Sequence, residues 1–257
     1  MDSSWHRQRA IAIGLLVSLA LWHLPFGGLL LYPFKLLATW MHEMSHGLLM
    51  LASGAGFDRM EIYRDTSGLA FGQTGVGPVG RAAIAAAGYM GTPLCGAVLL
   101  VLGQSGQSAR RILVGLGTIM ALSTSFWIHN DFGIAAMSTS AAAIVGVAAI
   151  AAWAGRAGSA TWASRLGRAA PVWLVNFVAA QACINALLDI RVLFRPNLVV
   201  NGKAMGHSDA HDMATAAGGS PALWAALWLV WSLALLFAAL RITHLRQARA
   251  ARPAPPT

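Results

Sequence analysis

Charge is scarce in this chain of 257 residues: only 11% are Asp, Glu, Lys or Arg, and only two are glutamate, Glu43 and Glu61. A soluble domain carries about a quarter charged residues. The deficit argues against an ordinary water-solvated surface and points to lipid as the main solvent. Cysteine is nearly missing as well. Cys95 and Cys183 both lie in apolar segments, which leaves no disulfide framework and no cysteine-based zinc site. The eighteen Lys and Arg give a net charge of +9 but form no block. Scattered over loops and tails, they fit lipid-headgroup contacts and give no nucleic-acid partner. No small-residue cleavage site suits the first apolar run, so it reads as a retained helix and not as a signal peptide.

What is present is mostly apolar: 57% of residues are hydrophobic and the mean hydropathy is +0.61. Several apolar runs reach the roughly 20 residues that a helix needs to cross a bilayer. The expected fold is an all-α polytopic membrane protein, with about six to seven transmembrane helices and a short β-hairpin at the membrane surface. The candidate helices are 10–31, 34–53, 82–103, 111–128, 133–154, 171–194 and 222–241. Pro33 is expected to separate the first two. Residues 54–80 are polar and glycine-rich, and "DTSG" (65–68) between "DRMEIYR" and "GLAFGQT" is turn chemistry for the hairpin. Residues 195–220 form a polar connector in which "SDAHDMATAA" starts a short helix capped by Ser208. Residues 1–241 are taken as one integral-membrane domain, and 242–257 as a basic, disordered tail. The basic residues divide too evenly between the two sides to orient the chain.

One stretch breaks the apolar pattern. "TWMHEMSHGLLML" (39–51) places His42, Glu43 and His46 inside a predicted helix. Burying each such group in a membrane costs at least a few kcal/mol, so intramembrane ionisable residues point to function. The spacing is H-E-x-x-H. Positions i and i+4 share a helix face, so the two imidazoles can converge on one metal. Zinc suits nitrogen ligands and keeps an open position when three protein ligands hold it. Glu43, beside the pair, is placed as the base that takes a proton from zinc-activated water. With eight His and two Glu in the chain, chance gives this pattern in roughly 2 of 1,000 such sequences.

The chain resembles the site-2 protease class of intramembrane metallopeptidases, and within it the M50B-like branch of the M50 family. The resemblance rests on "HEMSHGLLMLASG" (42–54), "DTSGLAF" (65–71), "AGYMGTPLCG" (87–96), and "HSDAHDMA" with "SPALWAALWLVWS" (207–232). It implies zinc-dependent cleavage of peptide bonds within or near membrane helices. It also implies an aspartate as third zinc ligand, typically in a Leu-Asp-Gly motif, which this sequence lacks. Asp189, in "INALLDIRVLF", is a charge in an apolar helix and echoes that motif without its glycine. Asp209 matches the family's Ser-Asp-Ala element, although aspartate in a first helical turn is also ordinary capping. Four crossings after the 34–53 helix return the chain to the same face. Asp131, Asp189, His207, Asp209 and His211 could therefore all approach His42 and His46, and the third ligand stays open between Asp189 and Asp209.

Other residues have plainer readings. His23 is a core or interface histidine. Gly88, Gly91 and Gly96 allow close helix packing first and a role beside substrate second. Trp224, Trp228 and Trp231 share one helix face and read as packing or an interfacial belt. The hairpin edge could pair an unwound substrate strand. The expected activity is a zinc endopeptidase acting on membrane-associated proteins or peptides in a lipid bilayer, in the cell (inner) membrane of a bacterium. The rival is a non-proteolytic scaffold, chaperone or metal-handling membrane protein.

Overall fold

The computed structural model describes residues 20–21, 24–73, 75–156, 162–194, 198–205 and 208–250. Helix α1 is Gly27–Ser53, followed by strands β1 (Arg59–Ile62) and β2 (Gly68–Phe71). Then come α2 (Pro78–Leu102), α3 (Gly106–Trp127), α4 (Asp131–Ala154) and α5 (Trp162–Asp189), which ends in a 3-10 turn, Ile190–Phe194. Strands β3 (Leu198–Val200) and β4 (Lys203–Met205), the short α6 (Asp209–Ala217) and the long α7 (Pro221–Ala250) complete the order. The protein is thus mainly helical, with two small strand pairs.

Among the described residues, four helical segments are long and apolar enough to cross a membrane: Pro78–Leu102, Asp131–Ala154, Ala169–Asp189 and Pro221–Arg249. The expected six to seven crossings are not confirmed: α1 and α3 are not among these four, and most of the first predicted helix lies outside the described residues. Helix α1 does not break at Pro33, as the sequence suggested; it runs through that residue. The proline lies near the helix start, where one missing backbone bond interrupts little of the ladder. Most of the predicted 10–31 helix, with His23, lies outside the described residues. Glycine ends α1: Gly54 takes φ 79°, and its N–H closes on Leu51 and Met50. Pro78 opens α2, where a missing N–H costs nothing. Helix α7 continues to Ala250 through part of the basic stretch expected to be a tail. No breaker interrupts "RITHLRQARA", and its Arg246 and Gln247 reach back to the Val101 carbonyl and the Gln104 side chain, both at 3.3 Å.

Helix α2 is the hub, packing against α1, α5, α6 and α7. The larger core gathers Leu37, Trp40 and Met44 of α1, Leu113 and Met120 of α3, and Met137 of α4. A second cluster joins Tyr89 of α2, Ile190 and Leu193 after α5, Ala210 of α6 and Trp228 of α7. It is this second cluster that seats the connector helix beside α1 and α2.

The predicted hairpin forms, with β1 and β2 antiparallel and Ile62 opposite Gly68. It runs back along α1: Phe57 fills the space left by Gly47, Gly68 meets Thr39 and Glu43, and the Tyr32 hydroxyl donates to the Arg64 carbonyl at 2.8 Å. Met60 and Ile62 are fully buried, and that apolar side of β1 draws the hairpin into the bundle. The outer edge of β1 is sealed. Met60 bridges to Ile128, and Asn130 accepts the Ile62 N–H at 3.1 Å and donates to its carbonyl at 2.6 Å.

A second hairpin went unforeseen. Strands β3 and β4 pair across Asn201 and Gly202, both at positive φ (49° and 72°). Asn-Gly is the strongest short hairpin signal because only such residues accept that turn cheaply. The Asn201 N–H then donates to the Ser67 hydroxyl at 3.1 Å, so the two hairpin turns touch.

Asn130→Ala removes both bonds to Ile62 and strands two buried backbone groups. The expected loss is about 1–3 kcal/mol, read as a lower Tm in detergent with the helical circular-dichroism signal retained at low temperature.

Candidate metal centre

His42 and His46 sit one turn apart on α1, and the start of α6 brings Asp209 to them. The two histidine Nε2 atoms are 3.0 Å apart, and Asp209 Oδ2 lies 3.3 Å from each. These three atoms form a near-equilateral triangle. A tetrahedral zinc with bonds of about 2.0–2.1 Å sets its ligand atoms about 3.3 Å apart, so the donor set and spacing fit that ion. His46 Nδ1 lies 2.7 Å from the Ile84 carbonyl. As donor there, it leaves Nε2 with its lone pair turned to the triangle.

Gly88 faces both imidazoles across the α1–α2 contact. A Cβ at this position would overlap the Nε2 atoms of His42 and His46. The missing side chain thus keeps open the space in front of the donors. Gly91 does the same for Ser45 one turn further on, and Gly96 lets α2 close on Cys183 of α5. Packing was the first reading of this glycine series, and it holds for Gly91 and Gly96. Gly88 has the further part of clearing the donor face, which its i, i+3 spacing from Gly91 could have suggested.

Glu43 is 6% exposed and packs on β2, where a Cβ on Gly68 would lie 2.9 Å from its Oε1. Its carboxylate meets the Ala70 backbone N–H. In this register Gly68 and Ala70 turn their backbone groups away from β1, so the unsealed edge of the hairpin faces Glu43. Glu43, His42, His46 and Asp209 line one cavity of about 710 Å³ together with Asp65, Asp189 and Asp212. Five of the nine acidic residues of the chain are therefore on its wall. In a protein of net charge +9, that concentration suits a bound cation.

The sequence left two aspartates in competition, and they occupy different places in the structure. Asp209 stands within the donor triangle. Asp189 ends α5 on the wall of the same cavity, within electrostatic reach of His42, Lys35 and Arg191, but it is not one of the triangle's atoms. His211 turns back to its own helix start: its Nδ1 lies 3.0 Å from the Ser208 hydroxyl. Ser208 is the cap of α6, as its position before "DAHD" suggested. Asp131 heads α4 and does not line the cavity. His207 lies outside the described residues. The tryptophans of α7 pack inward. Trp228 is 3% exposed, and the Trp231 indole N–H donates to the Met90 carbonyl at 3.2 Å.

The hairpin turn carries its own polar network, separate from the triangle. The Tyr63 hydroxyl donates to Glu61 and holds its carboxyl below the usual range. Burial, followed by that carboxylate, pushes Tyr63 up to about 12. Asp65 accepts the Ser67 N–H at 3.1 Å.

Gly88→Ala should abolish stoichiometric zinc, measured by elemental analysis of the purified protein, while helicity persists. Gly115→Ala is the control: open space surrounds that position in α3, so metal content should not change.

Comparison with known proteins bears on what this triangle belongs to. No curated protein and no solved structure matches the chain. The family model described as Peptidase M50B-like matches residues 11–239, a span that holds His42, Glu43, His46, Gly88 and Asp209. An integral membrane protein with apolar helices around this cavity, the chain belongs to the Peptidase M50B-like family.

Proposed function

We propose that this protein is a zinc-dependent intramembrane endopeptidase. The observation that carries the reading is the donor triangle of His42, His46 and Asp209 with a buried carboxylate, Glu43, beside it in a large cavity. On this reading Asp209 is the third ligand, and Asp189 stays on the cavity wall. Zinc, when bound, supplies a Lewis acid that acidifies water and polarises a carbonyl. Glu43 takes the proton from water as its oxygen adds to the carbonyl carbon, and then returns it to the leaving nitrogen. The low exposure of Glu43 keeps competing solvent from its carboxylate.

Residues 1–241 form one membrane domain on this reading, and α1 and α3 cross the bilayer with the four more apolar helices. Leu48 and Leu51 of α1, and Ile119, Leu122 and Phe126 of α3, are exposed and offer lipid an apolar face. Glu43 and His46 are buried instead, so these two groups do not meet hydrocarbon. The location is the inner membrane of a bacterium.

The substrate is a membrane-associated protein or peptide, taken in extended form. The unsealed edge of β2 lies against Glu43, and a substrate strand added there would satisfy its own backbone groups as it leaves helical structure. Substrates N-methylated at alternate amides near the scissile bond should be cleaved at least about tenfold more slowly, from the loss of one or two edge hydrogen bonds. An equal rate for the methylated and parent peptides removes the strand-addition mode.

The test of the activity combines metal content with cleavage. The wild type should hold one zinc per chain and lose cleavage to a chelator. Glu43→Gln should keep the zinc and lose about 100-fold or more in rate. Asp209→Ala should lose the zinc, whereas Asp189→Ala should retain it. Full cleavage by Glu43→Gln would end the protease reading, and bound zinc without cleavage would favour the non-proteolytic scaffold.

A further inference from the structure

One group on the cavity wall has no part in the scheme above. Tyr89 follows Gly88 on α2 and lines the cavity that holds the donor triangle. Its residue is 7% exposed, and its ring is clamped on both sides. Trp228 stacks on one face with ring centroids 5.0 Å apart and planes 3° from parallel. The His42 imidazole meets it edge-on at 4.8 Å and 88°. The clamp fixes where the phenol oxygen points. Asp209, Asp189 and Glu43 line the same cavity as Tyr89. The hydroxyl donates no hydrogen bond to any described residue.

A rigid O–H group on the wall of a cavity that three carboxylates also line, with no hydrogen bond to a described residue, is an unusual arrangement for packing alone. Phenylalanine would fill the clamp equally well and would bring no polar atom into it. What lets a hydroxyl serve here is a ligand that carries negative charge at the reacting centre for part of the reaction. We propose that Tyr89 is a catalytic residue: its hydroxyl donates a hydrogen bond to the oxyanion that forms from the scissile carbonyl. The inference rests on the endopeptidase reading and adds to it.

The step balances without a further reagent. The water oxygen forms a bond to the carbonyl carbon, the carbonyl π pair moves onto its oxygen, and Glu43 receives the water proton. Tyr89 keeps its own proton throughout and only shares it with the oxyanion. The pair then returns to re-form the carbonyl as the C–N bond breaks, and Glu43 gives its proton to the departing nitrogen. A preorganised donor of this kind stabilises charge that is absent from the bound substrate, so it acts on kcat and not on KM.

Tyr89→Phe keeps both ring contacts and removes one oxygen. The variant should retain one zinc per chain and the wild-type KM, while kcat falls about 100-fold or more. A phosphinic peptide, which carries a tetrahedral anionic centre in place of the scissile amide, provides a readout apart from turnover. Its affinity should weaken about tenfold or more in Tyr89→Phe, while affinity for the parent peptide, measured in the Glu43→Gln background, does not change. A kcat within twofold of wild type, or an undiminished affinity for the phosphinic peptide, overturns the role of Tyr89 and leaves the protease reading in place. Loss of zinc in Tyr89→Phe would also overturn it and make the residue a support for His42. If the wild type shows no Glu43-dependent cleavage, the endopeptidase reading fails and this inference fails with it.

Discussion

The close approach of α2 to α1 at Gly88 is the constraint on which the site depends. Two imidazoles one turn apart already crowd one face of α1, and any side chain opposite them would occupy the space in front of their Nε2 atoms. A bare backbone at this point does two things together. It opens that space, and it brings the Ile84 carbonyl within 2.7 Å of His46 Nδ1, so the ring has one orientation. The same approach places Tyr89 against His42, and the second apolar cluster then draws Trp228, Ile190 and Ala210 around Tyr89. Ala210 is fully buried in that cluster and follows Asp209 in the chain. The carboxylate therefore reaches the histidines from a helix start whose next residue is anchored by packing.

The first hairpin solves a different problem. A strand pair inside a helical membrane protein has two edges of unpaired backbone groups, and in lipid each such group costs several kcal/mol. One edge is closed by Asn130, whose side-chain amide serves as both donor and acceptor for Ile62. The other edge is turned to the cavity and meets Glu43. The fold thus spends its sealing groups on the edge away from the donor triangle and leaves open the edge beside it.

How legible this was from the sequence varied with the range of the interactions involved. His42, Glu43 and His46 were readable because a helix fixes i, i+1 and i+4 locally. The turn at Asp65–Gly68 and the cap at Ser208 were equally local. Asp189 and Asp209 could not be told apart, because both return to the same cavity and only the three-dimensional packing puts Asp209 in the triangle. The end of α7 was misjudged because arginine was read as tail composition, although its helix propensity is high and Gln104 stands ready to pair with Gln247. The Asn201–Gly202 turn was visible in two letters, and a connector assignment hid it. Nothing in the sequence could show that the hairpin folds back along α1. That outcome depends on Gly47 leaving room for Phe57 and on the buried face of Met60 and Ile62.

His42 and Asp209 are 167 residues apart in the chain. During synthesis the histidine pair and Glu43 are made early, within the first long described helix, and the carboxylate comes only after five long helices exist. A half-made chain thus carries His42, Glu43 and His46 without Asp209. On the endopeptidase reading proposed above, with substrates in the same membrane, this order is a safeguard. On that reading, cleavage waits until the start of α6 has brought Asp209 to His42 and His46.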